Sequence, residues 1–343
     1  MKPTKTLMLG KIGGVASKLK QEKHSSIIVD SQIAILFPAL MQMLPQDRVL
    51  VIPGGEESKS WQKLEKILSW LAMRKKERSE RVIAVGGGAI CDLVAMAASL
   101  YKRGAPLVFV PTTMLAQIDA ALGGKTAIDA DFGGLKIKNF AGTFYPAEEV
   151  WICAEFLNTL PERERRSGIG ELLKMCWLYG KKSPSTSMLQ DWVHRGRIHK
   201  DLWRFVEFSI AAKAKVVKQD PLDNKRIREA LNYGHTVGHA IESLAMGEIS
   251  HGEAVAWGMW IETKFLKSKF AEEISEVLAH LDFQAPDILG DTKAASYAVL
   301  FASDKKIKKG KLEITAALKP GSRKKNQCKP EVLAAFCEKQ FLL

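Results

Sequence analysis

The chain has 343 residues, of which 46% are hydrophobic and 26% charged, enough for two folded domains with sizeable cores and unlike a disordered polymer. It holds no run of 18 apolar residues, and its start, MKPTKTLMLGKIGG, lacks the apolar stretch and cleavage site of a secretory signal, so a soluble, unprocessed, cytoplasmic protein with no membrane partner is expected. Five cysteines without a CxxC pair fit reduced thiols, and the +13 charge sits in basic runs such as Lys305-Lys306 and Arg323-Lys324-Lys325 that carry no interleaved aromatics, so a small anionic ligand is expected and nucleic acid is not.

The first half alternates β-branched runs with amphipathic stretches. SSIIVD, DRVLVIP, RVIAVGGG and PLVFVPTT are continuous apolar runs bounded by turn residues, as buried parallel strands are. Between them, WQKLEKILSWLAMRKK and DLVAMAASLYKR carry apolar residues at helical spacing. Such alternation predicts a Rossmann-like α/β domain with ligands at the carboxyl ends of its strands. From Pro161 onward the texture turns helical, through ERERRSGIGELLKMCWLYG, DLWRFVEFSIAAKAKVVKQD, GHTVGHAIESLAM and GEAVAWGMWIETKFLKSKF. The expected division is therefore an α/β domain over 1–160 and an all-α domain over 161–343, the last forty residues having no clear pattern.

Three motifs carry chemistry. His235 and His239 lie four apart, on one face of a helix, and His251 follows twelve residues after His239. Glu171 sits on an otherwise apolar helix face, where a carboxylate is costly unless paired or metal-bound. Spacing alone leaves two readings equally open: a metal site, or a Glu171–Lys174 pair with the histidines as caps or core. Gly86-Gly87-Gly88-Ala89-Ile90-Cys91-Asp92 follows a strand and opens a helix, the arrangement in which backbone N–H groups meet a pyrophosphate, although its spacing is not GxGxxG. Thr112 and Thr113 end the next strand beside the same crevice. A polar cluster runs from Asp119 through Lys125 to Lys138 and Asn139, while Lys213, Arg228 and Asn232 precede the histidine pair. Arg228 and Asn232 share a face if their segment is α-helical.

In order and spacing, GGGAICDL, KRG, PTTMLAQIDAALGGKTAID, KNFAGTFYP, FLNTLPERERRSGIGELLK, LNYGHTVGHAIE and HGEAVAWGM resemble the 3-dehydroquinate synthases, over about residues 26–312. The resemblance implies a Rossmann-like NAD domain, a helical zinc domain and an active site in the cleft. It puts the metal on Glu171, His235 and His251, with Zn2+ as the ion and Co2+ as a possible substitute. It puts NAD on Asp30, on Gly54, Gly55, Glu56, Glu57, Ser58 and Lys59, on Gly88, Ala89, Ile90, Cys91 and Asp92, on Thr112 and Thr113, on Lys125 and Lys138, and on Phe156, Leu157, Asn158 and Thr159. Substrate positions fall on Asp119, Lys125, Asn139, Lys174, Lys213, Arg228, Asn232, His239, Lys305 and Lys306. Of these, His239, Lys125, Lys174, Asp119, Asn232 and Arg228 are the expected catalytic set. Arg103 matches an arginine that reaches the neighbouring subunit's site, which implies a homodimer.

The implied reaction converts 3-deoxy-D-arabino-heptulosonate 7-phosphate to 3-dehydroquinate and phosphate. It proceeds by transient oxidation at C5, phosphate elimination, re-reduction, ring opening and aldol closure. The alternatives are a related sugar-phosphate cyclase, making 2-deoxy-scyllo-inosose or a valiolone, and a metal- and NAD-dependent polyol dehydrogenase. Three departures from the family pattern stand out. Cys91 replaces a glycine, the loop between Asp129 and Lys138 is about four residues longer, and one extra residue lies between Asp220 and Arg228.

Overall fold

The structure is a computed structural model that describes residues 4–180, 182–302, 307 and 310–341. Lys305 and Lys306 lie outside the described residues. The chain divides into two compact units, Met1–Leu160 with Lys213–Leu222, and Pro161–Ala212 with Asp223–Leu343. A single cut after residue 160 thus misses residues 213–222, which belong with the first unit.

In the first unit the apolar runs become strands β1 (Lys5–Met8), β2 (Ser26–Asp30), β3 (Val49–Ile52), β4 (Val82–Gly86) and β5 (Leu107–Pro111). A separate antiparallel hairpin, β6 (Ile128–Phe132) and β7 (Leu135–Ala141), follows, and then β8 (Glu149–Ile152). The six remaining strands form one sheet in the order β1-β8-β5-β4-β2-β3, every neighbouring pair parallel. Every residue of β2, β4 and β5 is buried, which explains why these strands read as unbroken apolar runs. Alternate residues, Ile27 and Val29, Ile83 and Val85, Val108 and Val110, point to one face and pack with Val15 and Leu19 of the helix Ile12–Gln21. From β2 the chain runs outward to β3 and then back across to β4, so the sheet order reverses around β2 and opens a crevice at the strand ends.

The second unit is built from helices, among them Glu162–Tyr179, His235–Leu244, His251–Phe265 and Pro330–Phe341. It also holds one antiparallel hairpin, β9 (Leu312–Lys319) and β10 (Ser322–Cys328), which corrects the all-α expectation for this part. Leu312 and Ile314 of β9 enter a core with Val237, Ile241, Ile261, Leu333 and Phe341. The hairpin escaped sequence reading because β10, SRKKNQC, has no apolar alternation: it is a charged edge strand resting on an apolar partner. Among the described residues no helix is long and apolar enough to cross a membrane.

Candidate metal and nucleotide sites

Three helices bring the metal candidates together. Glu171 lies inside Glu162–Tyr179, while His235 and His251 are the first residues of their helices. Glycine makes the approach possible. A Cβ on Gly170 would lie 1.9 Å from Gly252 O, and one on Gly252 would lie 1.9 Å from Ser167 O, so these helices cross backbone to backbone. On the other side, a Cβ on Gly258 would lie 2.0 Å from Gly234 O, and one on Gly238 would lie 2.9 Å from Ala254 O. Gly234 also has φ +76°, a left-handed turn just ahead of His235.

The N-terminus of His235–Leu244 is capped from a distance. Fully buried Glu262 accepts hydrogen bonds from the backbone N–H of Gly234 (2.8 Å) and Val237 (3.2 Å). Ser250 and Glu253 form a capping box at the start of His251–Phe265. Both histidines are thereby fixed on well-anchored first turns.

One carboxylate oxygen of Glu171 faces both imidazoles: Oε1 is 3.5 Å from His235 Nε2 and 3.8 Å from His251 Nε2. Donors about 2.1 Å from a tetrahedral ion are about 3.4 Å apart, so the spacing suits a metal. One donor atom from each of Glu171, His235 and His251 lies within 4.8 Å of the others. The far ring nitrogens are held as metal-ligating histidines require, His251 Nδ1 by Glu242 Oε2 at 2.8 Å and His235 Nδ1 by Tyr233 O at 3.1 Å. Glu171 is only 1% exposed, and its Oε1, which faces both imidazoles, has no hydrogen-bond partner among the described residues. Lys174, equally buried, ion-pairs with Oε2, so the expected Glu171–Lys174 contact exists alongside the histidine cluster. Burial works against the His251 cation, but the bond to Glu242 and the charge of Glu171 raise its pKa overall, as a site with surplus negative charge would. The donors therefore fit a divalent ion such as zinc. The His239 ring stands 5.3 Å from that of His235 and 5.9 Å from that of His251, but His239 is outside the ligand cluster.

The first unit gathers many of the expected nucleotide residues. Asp30 ends β2, accepts from Gln32 N at 2.9 Å, and lies where a Cβ on Gly54 would sit, 2.1 Å from its carboxylate. Burial lifts the Asp30 pKa against the backbone bonds from Gln32 and Gly54. Lys59, only 3% exposed, pairs with Asp92 at 3.0 Å and Glu56 at 3.6 Å, and donates to Asn139 Oδ1. Asn139 N donates to Asp129 Oδ1 at 2.7 Å. The Gly54–Lys59 segment, the glycine-turn helix and the β6–β7 hairpin are thus tied by one buried ammonium. Burial opposes the Lys59 charge, but Asp92, Glu56 and Asp129 hold its pKa above the usual lysine value. Burial pushes Asp92 up to about 6 against the pull of Lys59.

The helix Gly88–Leu100 begins after Gly87 with no side chain capping its N–H groups. Cys91 is buried, its thiol pKa is raised by burial, and its sulfur points to Gly86 O at 3.8 Å, so the Cys91 departure places a neutral, buried group beside the glycine turn. Thr112 N bonds Gly86 O at 3.0 Å, and Thr113 caps the helix Met114–Ile118. Phe156 and Leu157 are fully buried, and Phe156 stacks edge-on with Phe37 at 5.2 Å. Only their backbone, with exposed Asn158 and Thr159, is left to meet a cofactor. Lys125 and Lys138 are exposed, and the lengthened loop ahead of Lys138 is the β6–β7 hairpin itself, turning at Gly133-Gly134.

Of the substrate candidates, Lys213 is buried and ion-pairs with Asp119. Arg228 and Asn232 begin and end a 3₁₀ helix, not an α-helix, and at three residues per turn positions four apart do not share a face. Asn232 is also separated from the histidine helix by Tyr233 and left-handed Gly234, so Asn232 and His235 do not share a helix. Exposed Arg103 lies on a turn with φ +64°. Sequence reading missed Glu242, Glu262 and the glycine contacts. Glu262 was legible by the argument used for Glu171, a carboxylate in an apolar helix, and Gly234 with Gly238 by their spacing of four.

In fold, the chain is similar to solved structures of two cyclases. The structure of 2-epi-5-epi-valiolone synthase from Streptomyces hygroscopicus with NAD+ and Zn2+ bound matches with TM-score 0.84 at 20% identity, over 99% of this chain and 97% of that one. A 2-deoxy-scyllo-inosose synthase complexed with carbaglucose-6-phosphate, NAD+ and Co2+ matches with TM-score 0.77 at 24% identity, over 97% and 96%. At these identities the likeness is one of fold. Family models narrow it: 3-dehydroquinate synthase N-terminal matches residues 49–167, and 3-dehydroquinate synthase C-terminal matches residues 168–307. The 3-dehydroquinate synthase of Campylobacter concisus is 37% identical over 326 residues, 92% of this chain and 91% of its own. That of Pyrobaculum islandicum is 35% identical over 306 residues, 85% of each. This chain belongs to the 3-dehydroquinate synthase family.

Proposed function

We propose that the chain converts 3-deoxy-D-arabino-heptulosonate 7-phosphate to 3-dehydroquinate and phosphate, as a lyase of aromatic amino acid and chorismate biosynthesis. The observation that carries this reading is the Glu171–His235–His251 cluster, with a buried carboxylate oxygen of Glu171 facing both imidazoles, in a chain of this family. Glu171, His235 and His251 would hold Zn2+ or Co2+, and Asp30, Gly54–Lys59, Gly88–Asp92 and Thr112–Thr113 would hold NAD, as the cofactors of the structural neighbours support. When bound, the metal supplies a Lewis acid for the substrate's C5 hydroxyl, and NAD accepts and returns one hydride per turnover.

The chain's own residues do the rest. His239, exposed and beside both ligand histidines, takes and returns the hydroxyl proton. Lys174 neutralises the carboxylate of Glu171 that the ligand histidines share. Lys213, Arg228 and Asn232 bind the anionic groups of the substrate, and Asp119 orients the Lys213 ammonium. Lys125, Lys138 and Asn139 serve the nucleotide and the substrate, and Arg103 serves the partner's site in a homodimer. Five free cysteines, four of them buried, support a cytoplasmic, reducing setting.

The test is release of inorganic phosphate from the heptulosonate phosphate with NAD far below substrate. Many turnovers without lasting NADH absorbance are expected. NADH accumulating in step with product would overturn the cyclase reading in favour of a polyol dehydrogenase.

A further inference from the structure

Nothing in the chemistry above uses the β9–β10 hairpin, yet one of its faces carries a closed ring of charge. Arg226 Nε lies 3.0 Å from Glu229 Oε1, and Arg226 Nη2 lies 2.7 Å from Glu313 Oε2. Lys325 Nζ lies 2.7 Å from Glu229 Oε2 and 3.2 Å from Glu313 Oε1. Each cation thus touches both anions and each anion both cations. The register explains the assembly. Gln327 pairs across from Glu313 and Lys325 across from Thr315, so alternation puts Glu313, Lys325 and Gln327 on the same side, and Gln327 Nε2 reaches Glu313 Oε2 at 3.5 Å. The opposite side, through Leu312 and Ile314, is sunk in the core. The hairpin is thus anchored in the core through Leu312 and Ile314 and carries charge on the side of Glu313 and Lys325.

What the charged side grips is the entry to the helix Arg228–Asn232. Arg226 has φ +64°, a conformation glycine would adopt without strain, so the backbone there is held by its side chain. Glu229 directly follows Arg228, whose side chain is 5% exposed. An isolated surface ion pair contributes little, but a closed ring holds four side chains at once and ties the hairpin to the short 3₁₀ segment.

We propose that the Arg226–Glu229–Glu313–Lys325 ring is a positioning device, by which the hairpin sets the orientation of Arg228 and Asn232 toward the substrate's anionic groups. The inference rests on the substrate role given to those two residues above. Its members are positioning residues, so breaking the ring loosens substrate binding and leaves the chemical step alone. Misplacement of a binding group by about an ångström is costly enough to read.

The experiment compares steady-state kinetics and thermal melting of the metal- and NAD-loaded enzyme for Glu313→Gln, Lys325→Met, Lys325→Arg, Arg226→Gly and the Glu313→Gln/Lys325→Met double variant, with Arg228→Ala as reference. Glu313→Gln and Lys325→Met should raise KM for the heptulosonate phosphate by roughly five- to tenfold with kcat within about twofold and melting unchanged. Lys325→Arg should keep the wild-type KM, and the double variant should be no worse than either single one, since both break the same ring. Arg226→Gly should raise KM although it relaxes the backbone. Wild-type KM in the two single variants while Arg228→Ala raises it would overturn the positioning role alone. An unchanged KM in Arg228→Ala would overturn the substrate reading and the inference with it. Parallel loss of kcat, KM and melting temperature in Glu313→Gln and Lys325→Met would assign the ring to general stability and overturn the inference.

Discussion

Gly252→Ala adds one carbon where the helices Glu162–Tyr179 and His251–Phe265 touch backbone to backbone. The new Cβ would lie 1.9 Å from Ser167 O, against 3.4 Å for an ordinary contact, so the helices must part locally by about 1.5 Å. Overpacking of this kind costs about 1–3 kcal/mol, and alanine's better helix propensity returns at most about 1 kcal/mol, so the fold should survive with a modest loss. The consequence for the metal is larger. His251 is the residue before Gly252 and sits opposite Glu171 at 3.8 Å, while metal–ligand distances tolerate only about 0.2 Å. Zinc affinity should therefore fall by about 10- to 100-fold or more, out of proportion to the loss of stability. Chelator competition for affinity and thermal melting of the apoprotein separate the two effects. Gly13→Ala, in an exposed helix position with nothing within 4 Å of the added carbon, is the control and should be neutral or stabilising by up to about 1 kcal/mol. Wild-type zinc affinity in Gly252→Ala would refute the claim that glycine contact sets the ligand geometry.

Replacing Glu171, His235 or His251 with Ala should lower bound zinc and activity together; stoichiometric zinc with normal turnover in His251→Ala would remove that residue from the ligand set. Lys76 is buried, and desolvation lowers its pKa to about 8 from 10.5. Between those values the unfolded chain binds the extra proton, so stability should rise with pH from 8 toward 10.5, by about 2 kcal/mol between pH 7 and 9.5, and urea unfolding of Lys76→Met should lack that rise. Arg103→Ala should lower kcat/KM by about ten- to a hundredfold, and mixing it with His235→Ala should restore activity once subunits exchange, because one site of the mixed dimer then carries neither defect. No recovery despite demonstrated exchange would mean that Arg103 does not serve a partner.

The sequence made the sheet legible where strands are buried on both faces. β2, β4 and β5 are unbroken apolar runs, whereas β1 and β8 are only four residues long and β10 hides its strand character behind lysines. Of the metal candidates, Glu171 and His235 were legible as residue types, a carboxylate in an apolar helix and one of two histidines at helical spacing, but the spaced partner His239 is outside the cluster and His251 comes from another helix. Their convergence was not legible, because it depends on the backbone contacts at Gly170, Gly252 and Gly258, and a glycine in a sequence reads equally as a turn, a breaker or a close approach. The α-helical reading of Arg228–Asn232 failed for a related reason. Four residues of spacing carry meaning only if the pitch is known, and Tyr233 and Gly234 break the helix before it reaches the histidines.

Backbone conformation separates structural turns from those near the proposed site. Among the described residues, nine non-glycine residues have positive φ, and five of them, Lys75, Lys102, Met246, Lys267 and Asp282, each stand two residues beyond a helix end. That is the left-handed position by which helices commonly stop, and it needs no functional account. The other four are Arg103, Asn139, Asp223 and Arg226. Two of them, Arg103 and Asn139, are themselves proposed site residues, and the other two lie in the segment leading to Arg228. Several of these turns are held from outside. Arg78 donates to Gly104 O (3.1 Å) and Arg103 O (3.4 Å), Lys102 Nζ to Lys76 O (2.6 Å), and Tyr145 OH to Ala105 O (2.7 Å). Asn139 is held through Asp129 and Lys59, and Arg226 through its ring of charge. Left-handed residues with side chains cost about 1–2 kcal/mol each, and such strain persists where neighbours over-determine it. Arg103 and Arg226 are thus held in clamped left-handed turns, whereas Lys59, Lys174 and Lys213 are fixed by burial and ion pairs, two different ways of holding a cation in place.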